Sequence, residues 1–171
     1  MANLDLDPAK TAVLAMDFQH GIVANQMAAG RHIVENAQGV LKAARKASIL
    51  VVHVIIQFRE GYPEVSPRNR MLSPIKQAGR FLVGHEETAI EKALGPEPGD
   101  LVVSRPRANA FWGSDLQTIL RAREVDTLVM MGIATNWVVE ATARYAADAD
   151  YRVIVLEDCC AGSIPPPTSF L

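Results

Sequence analysis

Two hydrophobic rhythms alternate along the chain. Residues 11–16, Thr-Ala-Val-Leu-Ala-Met, form an unbroken apolar run that ends in Asp17-Phe18-Gln19. A half-exposed strand alternates apolar with polar positions, so an unbroken run predicts a strand covered on both faces, as in a parallel sheet. In residues 31–47 the apolar positions are Ile33, Val34, Ala37, Val40, Leu41 and Ala44, the spacing of one helical face. Residues 49–56 give a second strand. The rhythm is then lost over residues 57–84, where Gly, Pro, Arg and Asn are frequent. That stretch predicts a long loop with one short helix, and loops of such length in a compact domain are functional or mobile. A short helix is predicted over 86–94, a third strand over 101–104, and a helix over 115–123 capped by Ser114. A fourth strand over 127–131 runs through Gly132 into a helix over 136–149, and a fifth covers 152–156.

Strand–helix alternation of this kind predicts an α/β fold, a mostly parallel sheet with helices on both faces. Residues 1–171 contain no internal repeat, linker or low-complexity segment, and read as one domain. The ending is unusual. Residues 159–171 carry no helical or strand pattern, and Pro165-Pro166-Pro167 excludes a central strand. A final strand is therefore expected to be missing. Its loss would bare the apolar edge near Val153 and Val155, which predicts a homo-oligomer, because open strand edges invite association.

Composition narrows the function classes. A chain of 171 residues that is 49% hydrophobic and 21% charged can bury a real core. A net charge of −2 gives no basic footprint for nucleic acid. No apolar run reaches the length of a membrane span, and the acidic start Met1-Ala2-Asn3-Leu4-Asp5 is unlike a secretory signal. A cytoplasmic protein with a small-molecule substrate is expected, without membrane or nucleic-acid partners. The two cysteines, Cys159 and Cys160, are adjacent and do not imply a disulfide framework.

Ligands of an open parallel sheet bind beyond the carboxyl ends of its strands. Four polar features fall there: Asp17-Phe18-Gln19, Arg105-Pro106-Arg107, the junction from Gly132 to Val138, and Asp158. A carboxylate that ends an apolar run is costly unless it is paired, and Arg105 is the natural partner. Blander roles stand beside these. Asp17 could simply cap a turn, Arg105 could be a solvated surface charge, and Thr135 a helix N-cap. Phe111 and Trp112 fit a core as well as a pocket. His53, inside an apolar strand, reads as a core histidine. His20, His32 and His85 lack metal-ligand spacing.

These segments resemble the isochorismatase-like, or cysteine, hydrolases, which include nicotinamidases, N-carbamoylsarcosine amidohydrolases and isochorismatases. The resemblance runs from Thr11 to Asp158. It rests on residues 12–19 (AVLAMDFQ), 104–116 (SRPRANAFWGSDL) and 132–144 (GIATNWVVEATAR). It implies a three-layer α/β/α sandwich of Rossmann-like type and a cis peptide at Ile133-Ala134. It also implies a catalytic Asp-Lys-Cys set falling on Asp17, Arg105 and Val138. Two of those positions depart from the family. Valine has no proton to give and no lone pair, so the covalent amidase route is closed. Arginine keeps the positive charge but cannot act as acid or base at neutral pH. The family's metal segment has no counterpart in residues 57–84, so no metal or other cofactor is expected. Substrate contacts are expected from Gln19, Arg59, Tyr62, Phe111, Trp112, Ile133, Ala134, Thr135 and Trp137. The resemblance points to a hydrolase of a small polar or carboxylated metabolite, working by acid–base chemistry at Asp17 without a cysteine intermediate. The alternatives are a catalytically silent small-molecule binder of the same fold, or a thiol hydrolase using Cys159 or Cys160.

Overall fold

The computed structural model describes residues 5–24 and 27–162. Five strands form one parallel sheet: β1 (Thr11–Met16), β2 (Leu50–Ile56), β3 (Leu101–Arg105), β4 (Thr127–Ile133) and β5 (Arg152–Ala161). Their order is β3-β2-β1-β4-β5. The chain thus builds outward from β1 to one edge, then returns to add β4 on the other side. The crevice between β1 and β4 is the switch point of the topology, where open α/β sheets bind ligands.

Burial of both sheet faces explains the unbroken apolar runs. Every residue of β1 and β4 is buried. Ala12, Leu14 and Met16 pack with Leu116, Leu120 and Ala146 on one side. Val13 and Ala15 pack with Ile33, Ala37, Leu41 and Ala44 on the other. The first face is covered by α4 (Leu116–Ala122) and α5 (Glu140–Asp148), and the second by α2 (Met27–Lys46). Two shorter helices, α1 (His20–Val23) and α3 (Ser73–Gln77), lie in the connections. Among the described residues no helix is long and apolar enough to cross a membrane.

Three sequence expectations change here. No helix spans 86–94; only a 3-10 turn, Glu86–Thr88, forms. Its neighbours spend their main-chain groups on the segment after β1, with His20 N donating to Ala89 O and Glu91 N to Phe18 O. Next, β5 does not stop at Leu156. A register irregularity between Met130 and Gly132 lets it run on to Ala161, with Cys159 and Ala161 turned into the core. Asp158 therefore sits exposed within a strand, not at its carboxyl end. Finally, Thr135 caps no helix. It begins a π-type turn, Thr135–Val139, in which Trp137 N and Val139 N both donate to Ala134 O at 3.1 and 3.4 Å. Ser114 comes closer to expectation, accepting from Leu116 N at 3.2 Å and donating to Ala110 O. Val155 is exposed at the β5 edge and Val153 half-buried. The proline-rich stretch expected to leave that edge open lies outside the described residues.

His53, inside β2, carries a testable pH dependence. Its Nε2 lies 3.1 Å from Asp100 Oδ2, while its buried Nδ1 has no partner. Burial pulls the imidazole pKa below its usual value, against the opposing pull of Asp100. The folded ring is therefore neutral, whereas the unfolded chain takes up a proton below about pH 6.5. Stability from this group is present above that pH and is lost as pH falls towards the lower folded value. Urea midpoints should accordingly drop between about pH 6.5 and 5, and His53→Gln should flatten the slope. Equal slopes would show that His53 does not titrate in this way.

Candidate functional site

Asp17 is the first residue after β1 and takes a left-handed backbone, φ 58°. Its main-chain N still donates to Val54 O at 2.8 Å, so the strand ladder holds the backbone while the turn redirects the side chain. Arg105 ends β3, in register with Ile56 of β2. The two residues stand two strands apart, about 10 Å at ordinary strand spacing, and the long arginine side chain bridges that gap. Arg105 Nη2 donates to Asp17 Oδ2 in a buried ion pair. One acceptor and one donor remain unused: Asp17 Oδ1 and Arg105 Nε are buried without hydrogen-bond partners.

The pair borders a cavity of about 170 Å³. Ile133, Ala134, Trp137 and Val138 supply its β4 side. Gly132 makes that approach possible, since a Cβ there would fall 2.5 Å from Met16 O. The peptide Ile133-Ala134 is cis. The opposite wall is apolar: Ile56, Met71, Leu72, Ile75 and Phe81, with Ile22 nearby. Most of that wall belongs to residues 57–84, which carry a small core of their own from Phe58, Tyr62, Val65, Leu72 and Phe81. Charged and polar groups behind the wall hold it in place. Phe81 N donates to Glu87, whose other oxygen accepts from Arg80 Nε at 2.9 Å. Among the described residues no three His, Cys, Asp or Glu side chains gather as metal ligands.

Of the expected site residues, the structure brings Asp17, Arg105, Val138, Ile133, Ala134 and Trp137 around this cavity. The others lie elsewhere. Gln19 is fully buried, and its amide holds Ile56 N, Ile56 O and Thr88 O at 2.8–3.0 Å. It ties down the end of β2 and has nothing left for a ligand. Tyr62 packs at a tilt against Phe58 and donates to Arg80 O. Arg59 extends outward to Glu64. Phe111 packs between Tyr145 and Tyr151 in the core, Trp112 is 67% exposed, and Thr135 faces outward. Sequence reasoning missed Ile56, Met71, Leu72, Ile75 and Phe81. Ile56 could have been found as the last residue of a buried strand. The rest have no period, and only their apolar character within a polar loop marks them.

Electrostatics departs from expectation as well. Pairing with Arg105 alone would hold the Asp17 carboxyl low. Burial outweighs that pull and raises its pKa above the ordinary carboxylate value. Arg105 is not an open fork for a substrate carboxylate, because it is 1% exposed and committed to Asp17. The cysteines are far from nucleophilic: burial, with help from Asp158, pushes the Cys159 thiol up to about 12, and burial raises Cys160 too. A thiol hydrolase using either would have to work from the core of β5, as a thiol.

Known proteins share this frame. The Isochorismatase domain family matches residues 11–168. The isochorismatase family protein YwoC of Bacillus subtilis is 32% identical over 158 residues, covering 92% of this chain and 81% of the relative. The ureidoacrylate amidohydrolase RutB of Rhizobium rhizogenes is 30% identical, covering 91% and 72%. Among solved structures, a cysteine hydrolase from Pseudomonas syringae pv. phaseolicola superposes with a TM-score of 0.87 at 28% identity, covering 97% of this chain and 79% of that one. An N-carbamoylsarcosine amidase from Thermoplasma acidophilum gives 0.78 at 28% identity, covering 92% and 87%. The parallel-sheet fold thus belongs to a recognised framework, and the chain is a member of the isochorismatase family of hydrolases.

Proposed function

We propose that the protein hydrolyses a small amide or related acyl compound in the cavity beside Asp17, without a covalent cysteine intermediate. One observation carries this reading: Asp17 lines the cavity and keeps a buried oxygen, Oδ1, free of any partner. A buried unpaired carboxylate oxygen is expensive, and a proton-transfer role accounts for keeping it. In this mechanism Oδ1 takes a proton from water, and the resulting hydroxide adds to the acyl carbon. The carbonyl oxygen gains the negative charge. In this reading it is stabilised by main-chain N–H groups of the turn after Ala134 other than Trp137 N and Val139 N, which bond to Ala134 O. As the tetrahedral species collapses, Asp17 returns the proton to the departing amine. A carboxyl held above its ordinary pKa is a stronger base when ionised, and near neutral pH more of it is protonated and able to donate. Arg105 keeps the ionised form within reach and stays a cation throughout.

Asp17→Asn should abolish turnover, and kcat/KM should fall as pH drops through the raised Asp17 pKa, because the base must be ionised. Iodoacetamide should leave activity intact, as position 138 carries no thiol and both cysteines are protonated. The silent-binder reading draws its support from Val138. A screen of amides, esters and isochorismate with no turnover above the Asp17→Asn control would leave that reading in place of this one.

A further inference from the structure

We infer that the cavity takes an uncharged ligand with an apolar body, about the size of a benzene ring or a branched five-carbon chain, and not a carboxylated metabolite. The inference rests on the hydrolase reading for the amide or acyl head, while the body of the ligand is argued separately from the walls. Asp17 and Arg105 are the charged side chains among the described residues that line the cavity, and they neutralise each other. A carboxylate entering this space would bring a net negative charge beside Asp17, with the one nearby cation already paired. An ion buried without its own partner is disfavoured. Ile56, Leu72, Ile75 and Phe81, facing Ile133 and Val138, are in contrast suited to hydrocarbon.

Size and entry agree with this. An apolar cavity of roughly 150 Å³ holds benzene, and this one measures about 170 Å³. Met71 and Trp137 line the same cavity and are 46% and 41% exposed, so an apolar, partly flexible mouth lies between solvent and the Asp17–Arg105 pair. The free acceptor, Asp17 Oδ1, and the free donor, Arg105 Nε, match a neutral head that both donates and accepts, such as a primary amide.

The test is titration calorimetry on the full chain with acetamide, propanamide, butanamide, 3-methylbutanamide and benzamide, and with 4-amino-4-oxobutanoate as the carboxylated counterpart of butanamide. Each added carbon should tighten binding about fourfold until the space is filled, and the carboxylate should bind at least tenfold more weakly than butanamide. Ile75→Lys, at a half-buried wall position, should erase or reverse that preference. A flat series, no saturable binding of the uncharged amides, or a carboxylated amide bound as tightly as butanamide would overturn the inference. The two readings fail separately. Graded binding without turnover removes the hydrolase reading and keeps the apolar ligand; turnover confined to the carboxylated amide does the reverse.

Discussion

Removing either partner of the Asp17–Arg105 pair alone should destabilise the protein by about 3–5 kcal/mol, whereas removing both should restore stability to near the parent value or above it. The cause is burial. Each side chain is almost wholly enclosed, so a single substitution leaves a desolvated charge without its counterion. Asp17→Asn is the cleanest way to delete the carboxylate, because asparagine tolerates the left-handed backbone at this position and only the charge is lost. Arg105→Met keeps most of the apolar stem of arginine and removes its guanidinium. The two single variants should separate by pH. In Arg105→Met the orphaned Asp17 can take up a proton, and its folded pKa rises further above the unfolded value of about 4. That variant should approach parent stability in acid and lose it as pH rises through the folded Asp17 pKa. In Asp17→Asn the orphan is an arginine that cannot shed its proton, so the deficit should persist at all pH values. Urea unfolding of the four proteins at several pH values checks this. If the losses simply add, and do not cancel in the double variant, the pair is not the coupled, desolvated unit described here. The predicted contrast of a stable double variant without activity is what a pair kept for chemistry should show.

How far this site could be read from sequence depends on which parts rest on local rules. β1 and β4 were legible because burial on both faces leaves no charged residue in six or seven consecutive positions, and no polar one after the leading threonine. Asp17 and Arg105 followed from the same reasoning: a charge that ends such a run must be accounted for, and parallel strands place both ends on one side. The far wall of the cavity was not legible. Leu72, Ile75 and Phe81 come from a segment whose apolar residues have no period, and its folding depends on the small cluster around Phe58 and Tyr62 and on Glu87 bonding back to Phe81. Gln19 and Tyr62 misled for a related reason. A polar side chain at the right end of a strand can serve a ligand or the neighbouring backbone. Nothing local reveals that Gln19 spends its amide on Ile56 and Thr88, residues far away in the chain. Asp158 misled because the strand break expected at Glu157 is absorbed by a bulge in β5, whose pairing with β4 jumps from Val155 opposite Met130 to Cys160 opposite Gly132. The sign of the Asp17 pKa shift also turns on a quantity that sequence does not contain, the depth of burial.

Val138→Cys should give the protein a thiol-dependent amidase activity at least about a hundredfold above its own Asp17→Asn background. The position is completely buried and shares the cavity with Asp17, and a cysteine is smaller than the valine it replaces, so the fold should accept it. In the variant, Asp17 Oδ1 takes the thiol proton and the thiolate adds to the amide carbon. The amine leaves with that proton, and water then cleaves the thioester. The turn from Thr135 to Val139 continues directly into α5, and the positive end of a helix favours a thiolate. Against this, the apolar surroundings raise a thiol pKa, as they do for Cys159. The charge of Arg105 beside Asp17 offsets part of that cost but cannot relay a proton, so adding Arg105→Lys, which can, should raise the rate further. The readouts are turnover of whichever amide binds best, and its loss on iodoacetamide treatment. Because Cys159 and Cys160 are held protonated, the parent protein should resist the same reagent, which makes labelling at position 138 a direct report. Rapid labelling of the introduced thiol without amide turnover would mean that an attacking atom was restored but the oxyanion donors or the acyl-binding geometry are absent. That result would undermine the hydrolytic mechanism proposed for the valine form as well, since both routes pass through a tetrahedral oxyanion that the same donors must stabilise.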